Sequence, residues 1–469
     1  MIAYVEEVMR ALRPAFTRQA TFAWFVVAFA GVVMRHDVYG VSSIIRALSL
    51  APVCYPALLH FFHSSAWTAE GLYRQWQQWL MKQPVVERIA GRLVILGDHT
   101  KQPKDGRRMP QVTTMHQDSE TSSKPSFFRG HHWGCLSLLG QVAGKRFALP
   151  LWAEIHPEAS PDSRATRLVH VAADMGLRLQ ACIFLVLDAF FAVGPVFLAA
   201  AATNGRLHIL TRAKKNVVAY QRPPTPRPHQ RGRRRVYGKK LKLVNLFDTR
   251  AGEFLAVEAI VYQQKDTVRY LVLDLIWKPA HGILRFFLIE TARGRLILMT
   301  SDLTLDGLQA LSLYTARVRI ESLFASVKNL LGGLTYHFWS KYLAPVSRRP
   351  THGSQSAPIS SRPARTRNTL AAIEKFFALH LVVLGTLQLL AAFCTDAVRQ
   401  HAHCWLRTPT GCVPSEFITR TALANLLHDN IRSLAKNPVT QFILRKQTSP
   451  QIAGAKPHKK TLAKKRKAA

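Results

Sequence analysis

The sequence predicts an α/β protein built on a mixed sheet, with a β-rich segment added to that sheet and helical regions at both ends. Runs that are apolar on both faces (RLVILG at 92–97, CIFLVL at 182–187, HILT at 208–211) are separated by helical patterning, as strands of a sheet covered on both sides require. Five strand-like runs crowd into 241–300, and apolar residues recur at helical spacing over 1–90 and 368–400. With 469 residues, 48% of them apolar, the chain can bury a sizeable core, which excludes a globally disordered protein.

In chain order, 1–90 reads as a helical region that includes SSIIRALSL and YPALLHFFHSSAW. It is either a packed cap or the home of a helix-turn-helix. A core begins near 91 and runs to 345. Within it, RLVILG ends in Asp98, 104–133 is polar and Gly-rich and reads as loop or hairpin, and FALPLWAEI (147–155) is a strand. An amphipathic helix over 166–180 leads to CIFLVL, which ends in Asp188. In open α/β sheets the carboxyl ends of strands form the binding crevice, although an Asp there also suits the cap of a following helix. The β-rich segment, about 222–300, carries LKLVNLF, EFLAVEAIVYQ, VRYLVLDLIW, ILRFFLIE and RLILMTS. A long helix comes next, over 305–331. A Pro/Ser/Arg linker (346–367), a helical region (368–444) and a basic tail (445–469) complete the chain.

Charge narrows the function. Lys plus Arg exceed Asp plus Glu by 37, and the isoelectric point is near 10.7. A compact protein of that charge repels itself unless a polyanion neutralises it, so nucleic acid is the leading partner, ahead of an anionic membrane surface and an acidic protein. Twelve Lys and Arg with no acid fall within 212–242, among them Arg212, Lys214 and Lys215. That density favours phosphate contact over a merely solvated loop. The tail adds nine basic residues between Arg445 and Lys467 and reads as a disordered DNA-binding arm. Six cysteines without a CxxC pair fit a reducing compartment. The N-terminus does not read as a signal peptide. Of two apolar runs, 21–34 is too short for a bilayer, and 376–394 carries His380 and Gln388 and reads as a buried core helix. No membrane association is expected.

The helix over 305–331 contains YTARVRIESLFASVK. Tyr314, Arg317, Glu321 and Lys328 fall at offsets 0, 3, 7 and 14. At about 100° per residue they share an arc of about 60°, beside an apolar face that includes Ile320, Phe324 and Val327. Taken alone, the stripe also fits a solvated ion-pair face, since an i,i+4 pair contributes only a few tenths of a kcal/mol.

The spacing Tyr-x2-Arg-x3-Glu-x6-Lys resembles the YREK signature of bacterial insertion-sequence transposases of the DDE superfamily, the cut-and-paste type. The stretches GDHTKQPKDGRRMP, HQDSETSSKPSFFRGHHWG, FLVLDAFFA and ILTRAKKNVVAY resemble the same family, over roughly residues 90–345. The resemblance implies a ribonuclease-H-like core. Asp98 would end its first strand, Asp188 would end the fourth, Glu321 would lie on a following helix, and the β-rich segment would be the family's insertion. It also implies binding of double-stranded DNA, at the element's terminal inverted repeats and at the target, by a homodimer. Cleavage and strand transfer would take place in the bacterial cytoplasm, at the nucleoid.

The residue types suit that chemistry. Phosphodiester cleavage with two Mg²⁺ ions, for which Mn²⁺ can substitute, needs hard oxygen ligands, and Asp98, Asp188 and Glu321 supply three carboxylates. Arg317 would grip phosphates by its fork and Lys328 as a point charge, while Tyr314 would hydrogen-bond a phosphate or stack on a base. The DNA-binding set is then Tyr314, Arg317, Lys328, Arg212, Lys214 and Lys215. His99 would position water or phosphate, or serve structurally. Trp277 and Trp339 are candidates to receive an extruded base, with a place in the core the better reading for each. GQVAGK (140–145) is rejected as a phosphate loop, having one residue too few between glycines and Arg146 after the Lys. His401, His403, Cys404 and Cys412 lack the paired spacing of a zinc finger. Asp118 and Glu120 read as loop caps or supporting groups, Asp118 being the reserve carboxylate. Two rivals are a catalytically inactive DNA-binding regulator derived from a transposase and a peripheral membrane protein.

Overall fold

The computed structural model describes residues 1–116, 127–157, 161–225, 233–261, 264–346, 360–406 and 411–447. Asp118, Glu120, most of the Pro/Ser/Arg linker and the tail beyond Gln447 lie outside the described residues. Five helices open the chain: α1 (Ile2–Leu12), α2 (Gln19–Met34), α3 (Ser42–Ala47), α4 (Cys54–His63) and α5 (Ala69–Leu80). The helix α2 is apolar all round and is buried almost entirely, as such a helix must be.

A sheet of 13 described strands comes next. Its first part comprises β1 (Arg88–Ile89), β2 (Arg92–Pro103), β3 (Thr113–His116), β4 (Phe127–Val142) and β5 (Lys145–Ile155), then α6 (Arg164–Arg178), β6 (Ile183–Val186), α7 (Gly194–Ala201) and β7 (Leu207–Arg212). Lateral order is β5-β4-β2-β6-β7, with β2, β6 and β7 parallel and the β4 pairings antiparallel. This agrees with the expected mixed sheet; β6 is the fifth strand counted from β2, not the fourth. The strand β6 reads Ile-Phe-Leu-Val and is buried on both faces, as the centre of a covered parallel sheet demands.

The β-rich segment holds β8 (Val218–Tyr220), β9 (Lys240–Lys242), a short α8 (Leu246–Thr249), β10 (Leu255–Val261), β11 (Gln264–Trp277), β12 (Gly282–Thr291) and β13 (Gly294–Thr300). It is not a separate body. The strand β13 pairs antiparallel with β7, Met299 opposite Thr211, so the added strands continue the core sheet. One expectation fails locally. LKLVNLF folds largely as 3₁₀ and helical turns over Leu243–Thr249, because only its first residues find a strand partner, in β8. Within 104–133, β3 and the start of β4 pair antiparallel, the hairpin alternative; Gly130 lies where β4 pairs with β2, and a Cβ on it would fall 2.2 Å from the Gln102 carbonyl oxygen.

The chain then forms α9 (Gly307–Ala316), α10 (Val318–Ala325), a π turn (Ser326–Leu330), α11 (Pro363–Phe393), α12 (Thr395–His401), α13 (Glu416–Arg432) and α14 (Pro438–Leu444). Asp306 caps α9, its carboxylate accepting from Leu308 N at 2.9 Å and Gln309 N at 3.2 Å. The helix α11 is long and apolar enough to cross a membrane, yet most of its apolar length is buried within the protein. It packs against β5, α2, α4 and α5, joining both ends of the chain to one hydrophobic core. Gly385 lets Trp76 of α5 approach α11, since a Cβ there would lie 2.5 Å from the indole. The indole in turn donates to the Pro150 carbonyl of β5 at 2.6 Å.

Candidate active site

Asp98 and Asp188 stand at one edge of the parallel strands. The β2–β6 pairing ends at Leu96 opposite Val186, two residues before each Asp. Asp98 does not end its strand: β2 runs on to Pro103 because β4 keeps pairing with it, Asp98 opposite Cys135. Gly97 brings the two segments together, since a Cβ on it would lie 2.7 Å from Leu187. Asp98 Oδ1 accepts from His99 N at 2.7 Å, and Asp188 Oδ1 accepts from Phe190 N at 3.0 Å. Asp188 therefore caps the 3₁₀ turn Ala189–Phe191 and faces the site as well. Thr211 Oγ1 of β7 donates to the Asp188 carbonyl oxygen, fixing the backbone there.

The helix expected over 305–331 is interrupted at Arg317, between α9 and α10, and again at the π turn. The guanidinium of Arg317 points at β2, with Nη1 3.1 Å from Asp98 Oδ2 and Nη2 2.6 Å from Glu321 Oε1. It lies 5.9 Å from the Tyr314 ring centroid. Lys328 lies within the π turn, whose wider winding moves it off the phase of a regular α-helix. Its ammonium is 3.4 Å from the Lys101 carbonyl oxygen of β2.

Burial pushes the Asp98 carboxyl up to about 6, and the neighbouring Asp188 and Glu321 push the same way, against the His99 N–H and Arg317. Burial also raises Asp188, with Glu321 adding and the backbone N–H groups and Arg317 opposing. Arg317 is held above its ordinary value: burial works against its charge, but Asp98, Tyr314 and Glu321 outweigh it. Asp98 and Asp188 thus feel the neighbouring carboxylates, and the guanidinium contacts Asp98 and Glu321. The histidine after Asp98 is kept neutral. Burial, His156 and Arg164 hold His99 down at about 3, and its ring stacks on Phe191 at 5.2 Å and lies 4.7 Å from His132.

The donor set fits a divalent metal: hard carboxylate oxygens from three separate elements, two of which, Asp98 and Asp188, are raised chiefly by burial. Among the described residues no three Asp, Glu, His or Cys are close enough to hold an ion as they stand, and the Arg317 cation occupies the space between Asp98 and Glu321. The same holds for the His401, His403, Cys404 and Cys412 cluster.

Arg212 ends β7 on the edge that carries Asp188, and Lys214 and Lys215 are exposed in the turn beyond it. Trp277 is core, 7% exposed, whereas Trp339 stands out of the surface at 62%. GQVAGK is the tight turn between β4 and β5, with Ala143 and Gly144 both at positive φ. Sequence reasoning missed the helix interruption at Arg317, the His99–His132 pair and Thr211. None has a signal in its own neighbourhood, because each acts across the fold.

No curated protein matches this chain. Among solved structures, a piggyBac transposase synaptic complex with hairpin DNA matches over 94% of this chain and 78% of its own, at 10% identity and a TM-score of 0.35. The NurA nuclease from Sulfolobus solfataricus matches over 58% of this chain and 86% of its own, at 9% identity and a TM-score of 0.22. The family model of the DDE superfamily endonucleases matches residues 11–251, just over half of the chain, and on that match the chain belongs to the DDE superfamily of endonucleases.

Proposed function

We propose that this protein is a DNA transposase that cuts DNA at the terminal inverted repeats of its element and joins the cut strand to a target. The observation that carries the reading is the convergence of Asp98 and Glu321 on Arg317, with Asp188 at the neighbouring strand end. Asp98, Asp188 and Glu321 would hold the two Mg²⁺ ions. Bound there, the ions would acidify water and stabilise the leaving oxygen of a phosphodiester. Asp98 lies deepest and stays fixed by the His99 N–H, while Glu321 sits on a helix and is half exposed. Arg317, once freed from the carboxylates, is placed to grip a phosphate beside the cut, with Tyr314 flanking it. Lys328, Arg212, Lys214 and Lys215 hold the backbone on either side.

The helical region 1–90 and the basic tail would add contacts to the element's ends, and a dimer would bridge two ends. The chain would act in a bacterial cytoplasm, at the nucleoid. The division at 90, 345, 367 and 444 is part of this reading.

The test is cleavage of DNA carrying the flanks of the element with Mg²⁺, comparing parent and Glu321→Ala. Cutting by the parent and at least a hundredfold loss in the variant is the expected result. Equal cutting by both ends the three-carboxylate reading. A second reading, an inactive DNA-binding regulator, is favoured by the Arg317 bridge itself, which fills the space an ion would need. Retention of flank DNA with no metal-dependent cutting by the parent selects it.

A further inference from the structure

Asp98 and His99 leave β2 on opposite faces of the sheet, because side chains alternate along a strand. Asp98 lies opposite Cys135 of β4, and His99 lies opposite Gly134. The face that carries His99 also carries Lys101 and, opposite Lys101, His132. The helix α6 covers this face. A Cβ on Gly134 would lie 3.0 Å from Leu168 and 3.5 Å from the His99 ring, so the absent side chain lets α6 settle on β4 beside His99. Arg164 stands one turn before Leu168, on the same side of the helix and at its start.

Positive charge and hydrogen-bond donors are left unanswered at that start. An α-helix gives its first N–H groups no acceptor of its own, and Ser163 Oγ answers only one of them here, accepting from Thr166 N at 3.1 Å. The acids nearby are engaged, Asp162 with His170 at 3.0 Å and Glu154 with Arg167 at 2.7 Å. Among the described residues no carboxylate pairs with the half-buried Arg164. His132 is 8% exposed, and its Nδ1 has no hydrogen-bond partner. The His132 ring lies 4.7 Å from His99, and its carbonyl accepts from His156 N at 3.0 Å. Burial holds His132, His99 and His156 below their ordinary values, and the charge of Arg164 adds to it at all three rings. A buried nitrogen without a partner is costly, and this one sits where a guanidinium and a helix start converge.

We infer that the start of α6, Arg164 and His132 form a subsite for a DNA backbone phosphate, on the opposite face of β2 from the phosphate that Arg317 would hold. Helix N–H groups and a guanidinium are strong holders of phosphate oxygens, and His132 Nδ1 supplies a further donor when it carries the ring proton. The histidines do not make a metal site: among the described residues no three Asp, Glu, His or Cys are placed to hold an ion. A DNA strand crossing the end of β2 is then gripped on both faces of the sheet, with the carboxylates between the two grips. The inference rests on DNA being the substrate, and it requires neither bound ions nor cutting.

The experiment measures binding of duplex DNA carrying the element's flank to the full chain, in EDTA, by fluorescence anisotropy. Single methylphosphonates, which remove one phosphate charge each, replace successive phosphates on both strands. The parent should lose about fivefold in affinity at each phosphate it grips. Arg164→Gln should lose about fivefold on unmodified DNA and stop responding at one or two adjacent positions, while responding elsewhere as the parent does. His132→Gln should blunt the response at the same positions, and Arg164→Lys should recover part of the affinity. With no carboxylate partner to strand, Arg164→Gln should melt with the parent, which separates a lost contact from a lost fold. Unchanged affinity in Arg164→Gln, the full parental profile in that variant, or even weakening with no position singled out would each overturn the subsite and leave water alone at the start of α6. Failure of the parent to bind flank DNA would overturn it as well. A parent that binds with the expected profile but does not cut with Mg²⁺ overturns the proposed nuclease reaction and leaves the subsite standing.

Discussion

Arg317 bridges Asp98 and Glu321, its two terminal nitrogens reaching one carboxylate each, at 3.1 and 2.6 Å. The guanidinium supplies positive charge to both carboxylates, so a metal bound there would compete with Arg317 for the same oxygens. Arg317→Gln should destabilise the metal-free protein by about 2 kcal/mol, because removing one partner leaves buried charge uncompensated. Divalent ions should then restore more stability to Arg317→Gln than they add to the parent. Melting temperatures with and without Mg²⁺ or Mn²⁺ measure this, and equal shifts in both proteins refute the competition.

Stability should fall from mildly acid to alkaline pH through one half-buried side chain on α11. Burial raises the Glu374 carboxyl to about 8, with Glu154 adding and the Ile155 N–H, Arg167 and Lys375 opposing. A raised value means that the folded state holds a proton the unfolded chain gives up. The contribution is therefore complete below the unfolded value, about 4.3, and is lost as pH rises through about 8. Glu374→Gln, which mimics the protonated form, should be more stable than the parent at pH 8.5 and close to it at pH 5. Urea denaturation at both pH values decides, and a variant weaker than the parent at pH 8.5 contradicts the assignment.

The range of the forces involved decides how much of the fold and the site is legible in the amino-acid order. The strands RLVILG and CIFLVL declare themselves, because burial on both faces leaves a local pattern, as does the apolar helix expected over 368–400, which the fold ends at Phe393. Asp98, Asp188 and Glu321 are legible as candidates through strand ends and helical spacing. The bridging role of Arg317 is not: at i,i+4 from Glu321 it looks like an ordinary ion pair, and only folding adds Asp98 from 219 positions away. The merging of the β-rich segment with the core sheet is equally hidden, since one register, Met299 opposite Thr211, decides it. Trp339 and Trp277 have similar prospects in sequence, and the fold alone makes one a ridge and the other core.

Arg420 ties the two ends of the chain to the end of the helix that carries Glu321 and Lys328. Its Nη1 donates to the Leu330 carbonyl at 2.8 Å and its Nε to the Val33 carbonyl at 3.0 Å, while Nη2 reaches the Arg35 carbonyl. These carbonyls close the π turn and α2, where helices leave acceptors unpaired and attract cations. Among the described residues no carboxylate takes part, so the contribution is hydrogen bonding rather than ion pairing. Arg420→Ala would strand those partly buried acceptors, at a cost of about 2–3 kcal/mol. Arg420→Lys, with a single nitrogen in place of a three-way fork, should recover only part of it. Because α13 then loses its grip on both α2 and the π turn, hydrogen exchange should rise at Ser326–Leu331 more than in the sheet. A loss below about 0.5 kcal/mol in urea, or exchange rising evenly through the protein, would show that the tie is incidental to the placement of the site.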